Sequence, residues 1–157
     1  MNHMEKAQQL GFKAYLKEEI PVGAVIVKDN KIISRAFNRR EKNQIATHHA
    51  EIIAIEKACK KLKSWRLDDC DLYVNLEPCP MCSGAIMNAR IRKVYYAVED
   101  IANGGNSRFQ IFKNTLNHST ECQHLKEFEE TNKNLIQKFF KEKRNKTRNN
   151  SKKNKKK

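Results

Sequence analysis

Two short motifs constrain this chain more than any other feature of its sequence. His49 is followed two positions later by Glu51, and Cys79 is followed by Cys82 within the run Pro-Cys-Pro-Met-Cys. One imidazole and two thiolates are three of the four ligands that a tetrahedral Zn²⁺ site takes in proteins. A site with only three protein ligands keeps its fourth position for a water molecule, so the pattern indicates a catalytic zinc centre.

Glu51 is not needed as a ligand, and its chemistry complements that of the metal. Bound Zn²⁺ lowers the pKa of its water from about 15.7 to roughly 7 in favourable sites. A carboxylate beside this water can accept its proton and pass it to a departing amine. The spacing therefore predicts Glu51 as the proton-transfer residue of a hydrolytic site. It predicts His49, Cys79 and Cys82 as the ligands of one zinc ion per subunit.

A Cys-x-x-Cys pair also occurs in structural zinc sites, in redox proteins and in buried cysteine pairs. A structural site would need a fourth protein ligand, and no other cysteine or histidine repeats a ligand spacing with the first pair. A redox role gives no reason for the His-x-Glu pair upstream. The spacing to Glu51 selects His49 over His48, which is then a surface group or a group behind the ligands. Cys59 and Cys70 are expected to pack in the core.

The length and composition fit one domain in a reducing compartment. A chain of 157 residues is long enough to bury an adequate core. It has no stretch of about 18 apolar residues and no signal-peptide pattern, so we expect a cytoplasmic protein without a membrane partner. Five cysteines, two of them in the metal pattern, fit a chain without disulfides.

The net charge of +14 is concentrated at the C-terminal end. Residues 138–157 contain eleven Lys or Arg and one acid, Glu142, which gives +10 there and leaves +4 for the rest. We predict a domain over residues 1–144 and a disordered basic tail over residues 145–157. The tail is either a solvated end or a nucleic-acid contact, and in both cases it attracts phosphates in a salt-sensitive way.

Hydrophobic periodicity predicts alternating helices and strands. Apolar residues at three- and four-residue steps predict four helices, over 3–18, from residue 50, from residue 80, and over 122–143. Short apolar runs predict four strands, at 22–27, 32–38, 71–76 and 93–98. The first two strands form a hairpin, because turn residues separate them. The order predicts a three-layer α/β/α fold, in which a sheet with a parallel portion is flanked by helices.

Both motifs fall at helix N-termini. His49 and Glu51 lie at the first turn of the second helix, whereas Cys79 and Cys82 lie in or just before the first turn of the third. Free backbone N–H groups at a helix N-terminus stabilise thiolates, which are the form of cysteine that binds zinc. We therefore expect two helix N-termini to face one metal ion.

These motifs and several neighbouring blocks resemble the bacterial tRNA-specific adenosine deaminases of the cytidine deaminase-like superfamily. The similarity runs from about Lys6 to Arg144, and its blocks are 21–25, 38–51, 64–67 leading to 72–82, and Phe139–Phe140 ahead of basic residues. The resemblance implies the cytidine deaminase-like fold, with a mixed central sheet, and a zinc-dependent homodimer. It also implies conversion of adenosine to inosine at the wobble position of tRNA, with the anticodon stem-loop as the partner.

The resemblance also assigns residues to the substrate. Val22 and Asn38 look like base-pocket residues, and Asp100 resembles the family's acidic residue that contacts the sugar of the flipped nucleotide. Asn117 lies in a segment similar to one near the anticodon loop. Phe140 belongs to an aromatic pair of which one member can face the core, which leaves the other to touch RNA or a dimer partner. Plain structural roles remain open: a turn for Asn38, the core for Val22 and packing for the aromatic pair.

Two departures from the family pattern concern the substrate. The residue before the ligand, usually small, is His48, and the family's Gly-Ala-x-Gly-Ser loop appears at 104–109 as Gly-Gly-Asn-Ser-Arg-Phe. Guanine deaminases share the His-Ala-Glu and Pro-Cys-Pro-Met-Cys blocks, so deamination of guanine or another free base or nucleoside in salvage is the alternative function. A zinc-stabilised binding module is a third, but it gives no use for Glu51. The basic groups of the last helix favour an RNA substrate.

Overall fold

The computed structural model describes residues 2–113 and 118–155. The strands within these ranges are β1 (Gly23–Lys28), β2 (Lys31–Phe37), β3 (Cys70–Leu76), β4 (Lys93–Val98) and β5 (Glu121–His124). They form one mixed sheet in the order β2-β1-β3-β4-β5. β1 pairs antiparallel with β2 and β3, whereas β3 with β4 and β4 with β5 are parallel pairs.

Helices cover both faces of the sheet. They are α1 (His3–Leu16), α2 (Arg40–Asn43), α3 (Ala50–Leu62), α4 (Pro80–Asn88) and α5 (Glu129–Asn154). Alternate residues of β1 point to opposite sides, because side chains in a strand alternate between the two faces. Ile26 packs into the cluster that includes α3 and α4, whereas Val25 packs with Leu10 of α1. The predicted three-layer α/β/α fold is confirmed.

α5 lies on the same side of the sheet as α1. Ile136 of α5 packs with Met4 and Ala7 of α1 and with Ala97 of β4. No helix in the described parts of the chain combines the length and the apolar character needed to cross a membrane.

A buried asparagine ties three elements together behind the site. Asn75 on β3 accepts a hydrogen bond from the backbone N–H of Gly23 at 2.9 Å, and its Nδ2 donates to the carbonyl of Pro21 at 2.8 Å. The same Nδ2 lies 3.3 Å from Oδ1 of Asn132 on α5. Because these buried polar groups satisfy one another, they fix the entry to β1, where Val22 lies.

The C-terminal part differs most from the sequence-based expectations. Residues 121–124, predicted to begin a helix, form β5, because parallel pairing with β4 satisfies their backbone groups. α5 then begins at Glu129 and continues to Asn154, eleven residues beyond the predicted end at 143.

The predicted disordered tail is therefore wrong for residues 145–154, which are helical. Two contacts tie α5 to the end of α1 and the residues just after it: Tyr15 donates a hydrogen bond to Glu142 at 2.8 Å, and Lys146, at the start of this part, pairs with Glu18. The segment has no Gly or Pro to end the helix. The division of the chain at residue 144 stays a prediction.

We predict opposite effects on stability for two glycine-to-alanine changes. A Cβ on Gly23 would lie 2.2 Å from the carbonyl oxygen of Ala7, so Gly23→Ala must push α1 away from β1 and should lower the free energy of unfolding by about 1–3 kcal/mol. A Cβ on Gly84 in α4 meets nothing within 4 Å, so Gly84→Ala should raise it by about 0.5–1 kcal/mol. Urea unfolding followed by circular dichroism measures both changes. Equal stability of the two variants would contradict the close α1–β1 approach.

Candidate functional site

The three candidate ligands come together where α3 and α4 begin. His49 is the N-cap residue of α3, Cys79 is the N-cap residue of α4, and Cys82 lies in the first turn of α4. Nδ1 of His49 lies 3.5 Å from Sγ of Cys82 and 3.7 Å from Sγ of Cys79. The three ligand atoms all lie within 4.8 Å of one another.

These distances match a tetrahedral site. Zinc bonds of about 2.0 Å to nitrogen and 2.3 Å to sulfur at a tetrahedral angle put an N and an S ligand atom about 3.5 Å apart. The observed distance to Cys82 is 3.5 Å, and the distance to Cys79 is 3.7 Å, which is slightly longer. The His–Cys–Cys group therefore has the donor types and the size that a metal ion of this kind requires.

The pKa values of the two ligand thiols are shifted in opposite directions. The hydrogen bond from Cys82 and the nearby imidazole lower the pKa of Cys79 to about 4, although burial acts in the opposite direction. The same hydrogen bond and burial raise the pKa of Cys82. The hydrogen bond to Cys79 also raises the pKa of His49. A thiolate next to an imidazole is a donor pair suited to a soft divalent cation.

Glu51 is a buried carboxylate beside the His–Cys–Cys group. It lies in the first turn of α3 and is 4 % exposed, and its Oε2 has no hydrogen-bond partner among the described residues. Burial raises its pKa to about 7. A buried carboxylate without a partner is costly to the fold. A pKa near neutrality allows the group both to accept and to donate a proton, so it suits acid–base chemistry.

A cleft of ≈ 640 Å³ opens beside these groups and is lined by His49, Cys79 and Glu51. Its size falls within the range of roughly 300–1,000 Å³ that is usual for sites that bind small molecules. Four residues that the resemblance assigned to the substrate also line it, namely Val22, Asn38, Asp100 and Phe140. Asn117, the fifth, lies outside the described residues. The roles of all five in binding stay predictions.

Two of these residues also shape the loops that carry them. Asn38 is buried, and its Oδ1 accepts a hydrogen bond from the backbone N–H of Arg40 at 3.1 Å. Its Nδ2 makes no hydrogen bond within the described ranges. Oδ1 of Asp100 accepts from the backbone N–H of Asn103 at 3.1 Å. Asn38 therefore stabilises a turn through its Oδ1, as one of the alternatives expected. Its amide N–H₂ group is not used in this turn and can donate to a molecule in the cleft.

His48 lies apart from the ligand group. Its Nδ1 is 2.9 Å from Nδ2 of Asn43, and the group that could hold a metal contains His49 instead. His49, the histidine of the His-x-Glu pair, lies with the two cysteines, and its role as a ligand stays a prediction.

A buried acid missed by the sequence analysis holds one wall of the cleft. Glu19 is 2 % exposed, and its carboxylate accepts hydrogen bonds from the backbone N–H groups of Glu41 at 3.2 Å and Lys42 at 2.7 Å. These donors lie at the N-terminus of α2, in the connection that brings Asn38 and Arg40 to the cleft. The sequence gives no signal for Glu19, because its partners are 22 and 23 residues away. Arg40, which lines the cleft, was also missed by the sequence analysis. The sequence marks it only as a cation two positions after Asn38.

A second buried acid, Glu77, lines the cleft and holds a neighbouring loop. Oε2 of Glu77 accepts hydrogen bonds from the backbone N–H of Ser107 at 3.2 Å and from its hydroxyl at 2.9 Å. A Cβ on Gly104 would lie 1.5 Å from the same oxygen, so only glycine allows this loop to come so close. Burial raises the pKa of Glu77, and the bonds from Ser107 oppose this effect. The glycine at position 104 of the segment 104–109 is therefore needed for the close approach of this loop to Glu77.

The α/β/α fold brings one His and two Cys to the N-termini of two helices, beside a buried Glu. This set of side chains is that of the zinc-dependent deaminases. Residues 1–144 match the family model of the MafB19-like deaminases, and this chain belongs to that family.

Comparison with individual proteins gives two kinds of relative. The tRNA-specific adenosine deaminase of Aquifex aeolicus (strain VF5) is 44% identical over 135 residues, which are 85% of this chain and 88% of that protein. A solved structure from a study of A-to-I editing by tRNA:A34 deaminases has a TM-score of 0.81 at 38% identity and covers 85% of this chain and 97% of that one. The guanine deaminase of Bacillus subtilis has a TM-score of 0.60 at 47% identity and covers 63% of this chain and 66% of that one.

We predict that Glu19→Gln loosens the wall that contains α2. The amide side chain offers one acceptor oxygen where the carboxylate offers two, so one of the two N–H groups loses its partner. A hydrogen bond to a charged group contributes about 1.5–3 kcal/mol, so protection of the Glu41 or Lys42 amide against hydrogen exchange should fall by roughly 10- to 150-fold. The neighbouring Glu18→Gln is the control, because Glu18 is exposed and pairs with Lys146 instead. Unchanged protection in Glu19→Gln would contradict this role.

Proposed function

We propose that this protein is a zinc-dependent hydrolase that deaminates adenosine to inosine at the wobble position of a tRNA anticodon. One observation carries the proposal: His49 and Cys79 line one cleft and converge with Cys82 next to the buried Glu51, whose Oε2 has no partner among the described residues. The similarity to the Aquifex aeolicus enzyme, which spans most of both chains, supports the choice of substrate.

His49, Cys79 and Cys82 would hold one zinc ion. When bound, the ion lowers the pKa of a coordinated water, so that hydroxide is available near neutral pH. The chain contributes the ligand positions: each helix start fixes its donor on a rigid element, and the N–H groups of α4 stabilise the thiolates.

Glu51 would transfer the protons of the reaction. Deamination replaces the amino group on C6 of adenine by an oxygen from water, and ammonia leaves. One proton from the water must reach a ring nitrogen and another must reach the departing amine. A buried carboxylate whose pKa is about 7 exchanges protons in both directions near neutral pH, which suits this sequence of steps.

The other lining residues would bind and orient the nucleotide. Val22 gives an apolar surface for the base, and the free Nδ2 of Asn38 can donate to an acceptor on the purine edge. Asp100 would contact the sugar, and Phe140 gives a surface on which a neighbouring base can stack. Arg40, at the mouth of the cleft, is placed to attract a phosphate. Asn117 keeps the role near the anticodon loop that the resemblance implies.

The homodimer and the cytoplasmic location belong to the same proposal. Apolar side chains are exposed near the site: Met81, between the two ligand cysteines in sequence, is 37 % exposed, and Ile101 of the cleft wall is 76 % exposed. Exposed apolar groups near a site are typical of a surface that a second subunit covers. A tRNA substrate and thiolate ligands both fit a reducing cytoplasm.

A guanine deaminase is the second candidate. The observation that favours it is the 47% identity to the Bacillus subtilis guanine deaminase over the part that the two chains share. The two functions differ in what the site must bind, because a free base brings no phosphate. They can therefore be separated with purified substrates.

A substrate panel tests the proposed function. The purified protein is offered an in vitro transcribed arginine tRNA whose anticodon begins with A, the same tRNA with G at that position, and free adenosine, guanine and cytosine. Inosine is measured by mass spectrometry of digested RNA, and ammonia is measured in solution. We expect inosine and ammonia from the first tRNA only. Ammonia from guanine with an unchanged tRNA would replace the proposal with the second candidate.

We predict that Cys82→Ser loses bound zinc, because a hydroxyl is a poor substitute for a thiolate ligand. Elemental analysis of purified protein should give stoichiometric zinc for the wild type and a large loss for this variant. Cys59→Ser is the matched control, since Cys59 interacts with the carbonyl of Trp65 and does not belong to the His–Cys–Cys group. Equal zinc content in the two variants would remove Cys82 from the ligand set.

We predict that Glu51→Gln keeps zinc but loses turnover. The change removes proton transfer and leaves the ligands in place, so kcat should fall by about 10²–10⁴-fold. Glu56→Gln, an exposed position on the same helix, should keep both zinc and activity. Wild-type activity of Glu51→Gln would exclude this residue as the proton-transfer group.

A further inference from the structure

We infer that the part of α5 beyond residue 144 is a second RNA-binding surface, which holds phosphates of the substrate tRNA outside the cleft. This inference rests on the proposed function. It concerns the basic row, which we define as Arg144, Arg148 and Lys152.

The basic row continues directly from the cleft. Phe140 lines the cleft, and Arg144, Arg148 and Lys152 follow it at four-residue steps. Each four-residue step advances about 6 Å along the helix axis and turns about 40° beyond a full turn, so successive members are neighbours on the surface and the row winds gradually around the helix. A shallow groove lined by Phe140, Arg144 and Arg148 joins the start of the row to the cleft wall. The row therefore begins about 6 Å beyond Phe140 and extends about 12 Å along the axis, from Arg144 to Lys152.

The other side of α5 is fixed by α1. Tyr15 donates to Glu142 at 2.8 Å, and Lys146 pairs with Glu18. Lys138 lies 5.6 Å from the centre of the Tyr15 ring. Because these contacts use the α1-facing side of the helix, the basic row is left on the side that faces solvent. Glu142, the one acid of this region, points to α1 and not to the row.

The cations of the basic row have no acidic partner in the described parts of the chain. None of the ion pairs there includes Arg144, Arg148 or Lys152, and all three side chains are exposed. Unpaired cations along one helix face produce a positive field beside the cleft, which attracts a polyanion.

RNA fits this surface better than a membrane does. A helix that binds at a membrane surface alternates its cations with large apolar residues. Residues 141–157 contain no apolar side chain at all. A tRNA whose nucleotide lies in the cleft, in contrast, would bring its own phosphates past the start of the row.

The position of the row predicts an effect on affinity and not on the chemical step. The match to the deaminase family ends at residue 144, so Arg148 and Lys152 lie outside the matched part, and neither lines the cleft. Contacts to phosphates position RNA without taking part in the reaction. Loss of these two cations should therefore raise the KM for tRNA and leave kcat unchanged.

The test compares two double variants that each remove two positive charges. Arg148→Gln/Lys152→Gln removes two cations of the basic row. Lys60→Gln/Lys61→Gln removes two exposed cations at the C-terminal end of α3, far along the helix from His49. Binding of the full-length tRNA and of a minimal anticodon stem-loop is measured by fluorescence anisotropy over a series of KCl concentrations, together with kcat and KM for inosine formation.

For the basic-row variant we expect weaker tRNA binding and a plot of log K against log salt that is shallower by roughly 1.4–1.8, which corresponds to two lost phosphate contacts. The control should keep the wild-type slope. Equal losses in the two variants would overturn the inference, because the row would then act only through the total charge. Loss of binding to anionic lipid vesicles with unchanged tRNA binding would overturn it as well. A failure of the proposed function appears separately, as absence of inosine in the wild type.

Discussion

The site depends on two helix N-termini being held at one point. α3 brings His49 and Glu51 there, and α4 brings Cys79 and Cys82. The partial positive charge of unpaired N–H groups at a helix start favours thiolate over thiol, so the same geometry that positions the ligands also prepares them for a cation. Both helices lie on one face of the sheet and pack into one apolar cluster, so the donor positions are set by the core and not by loops.

Three buried glutamates lie around the cleft, and they differ in how they are held. Glu19 and Glu77 each accept hydrogen bonds from the backbone of a loop, and each holds one wall of the cleft. Glu51 and Glu77 each keep one buried oxygen without a partner in the described part of the chain. Glu77 is tied to its loop through the other oxygen, whereas Glu51 lies beside the His–Cys–Cys group, and burial raises its pKa to about 7. The position and the pKa of Glu51, more than the free oxygen alone, suit it to acid–base chemistry.

The sequence predicts the parts of this protein that depend on local patterns. The motifs of His49, Glu51 and the two ligand cysteines are short, and the helices and strands that hold them have clear apolar periodicity. β5 could not be predicted, because its four residues become a strand only through pairing with β4. Glu19 could not be predicted either, since its role depends on contacts across more than twenty residues. The contacts that tie α5 to the region of α1, at Glu142 and Lys146, are likewise not revealed by composition.

The buried carboxylate at position 51, one oxygen of which has no partner among the described residues, affects how the protein can change. Its burial opposes folding, and an amide or an apolar side chain of similar shape would remove that burden. Selection for heat resistance and selection for turnover would then favour different residues at this position, in the manner of the stability–activity trade-off seen at many active sites. A stabilised but inactive descendant would be expected to change here first, while keeping its cysteines.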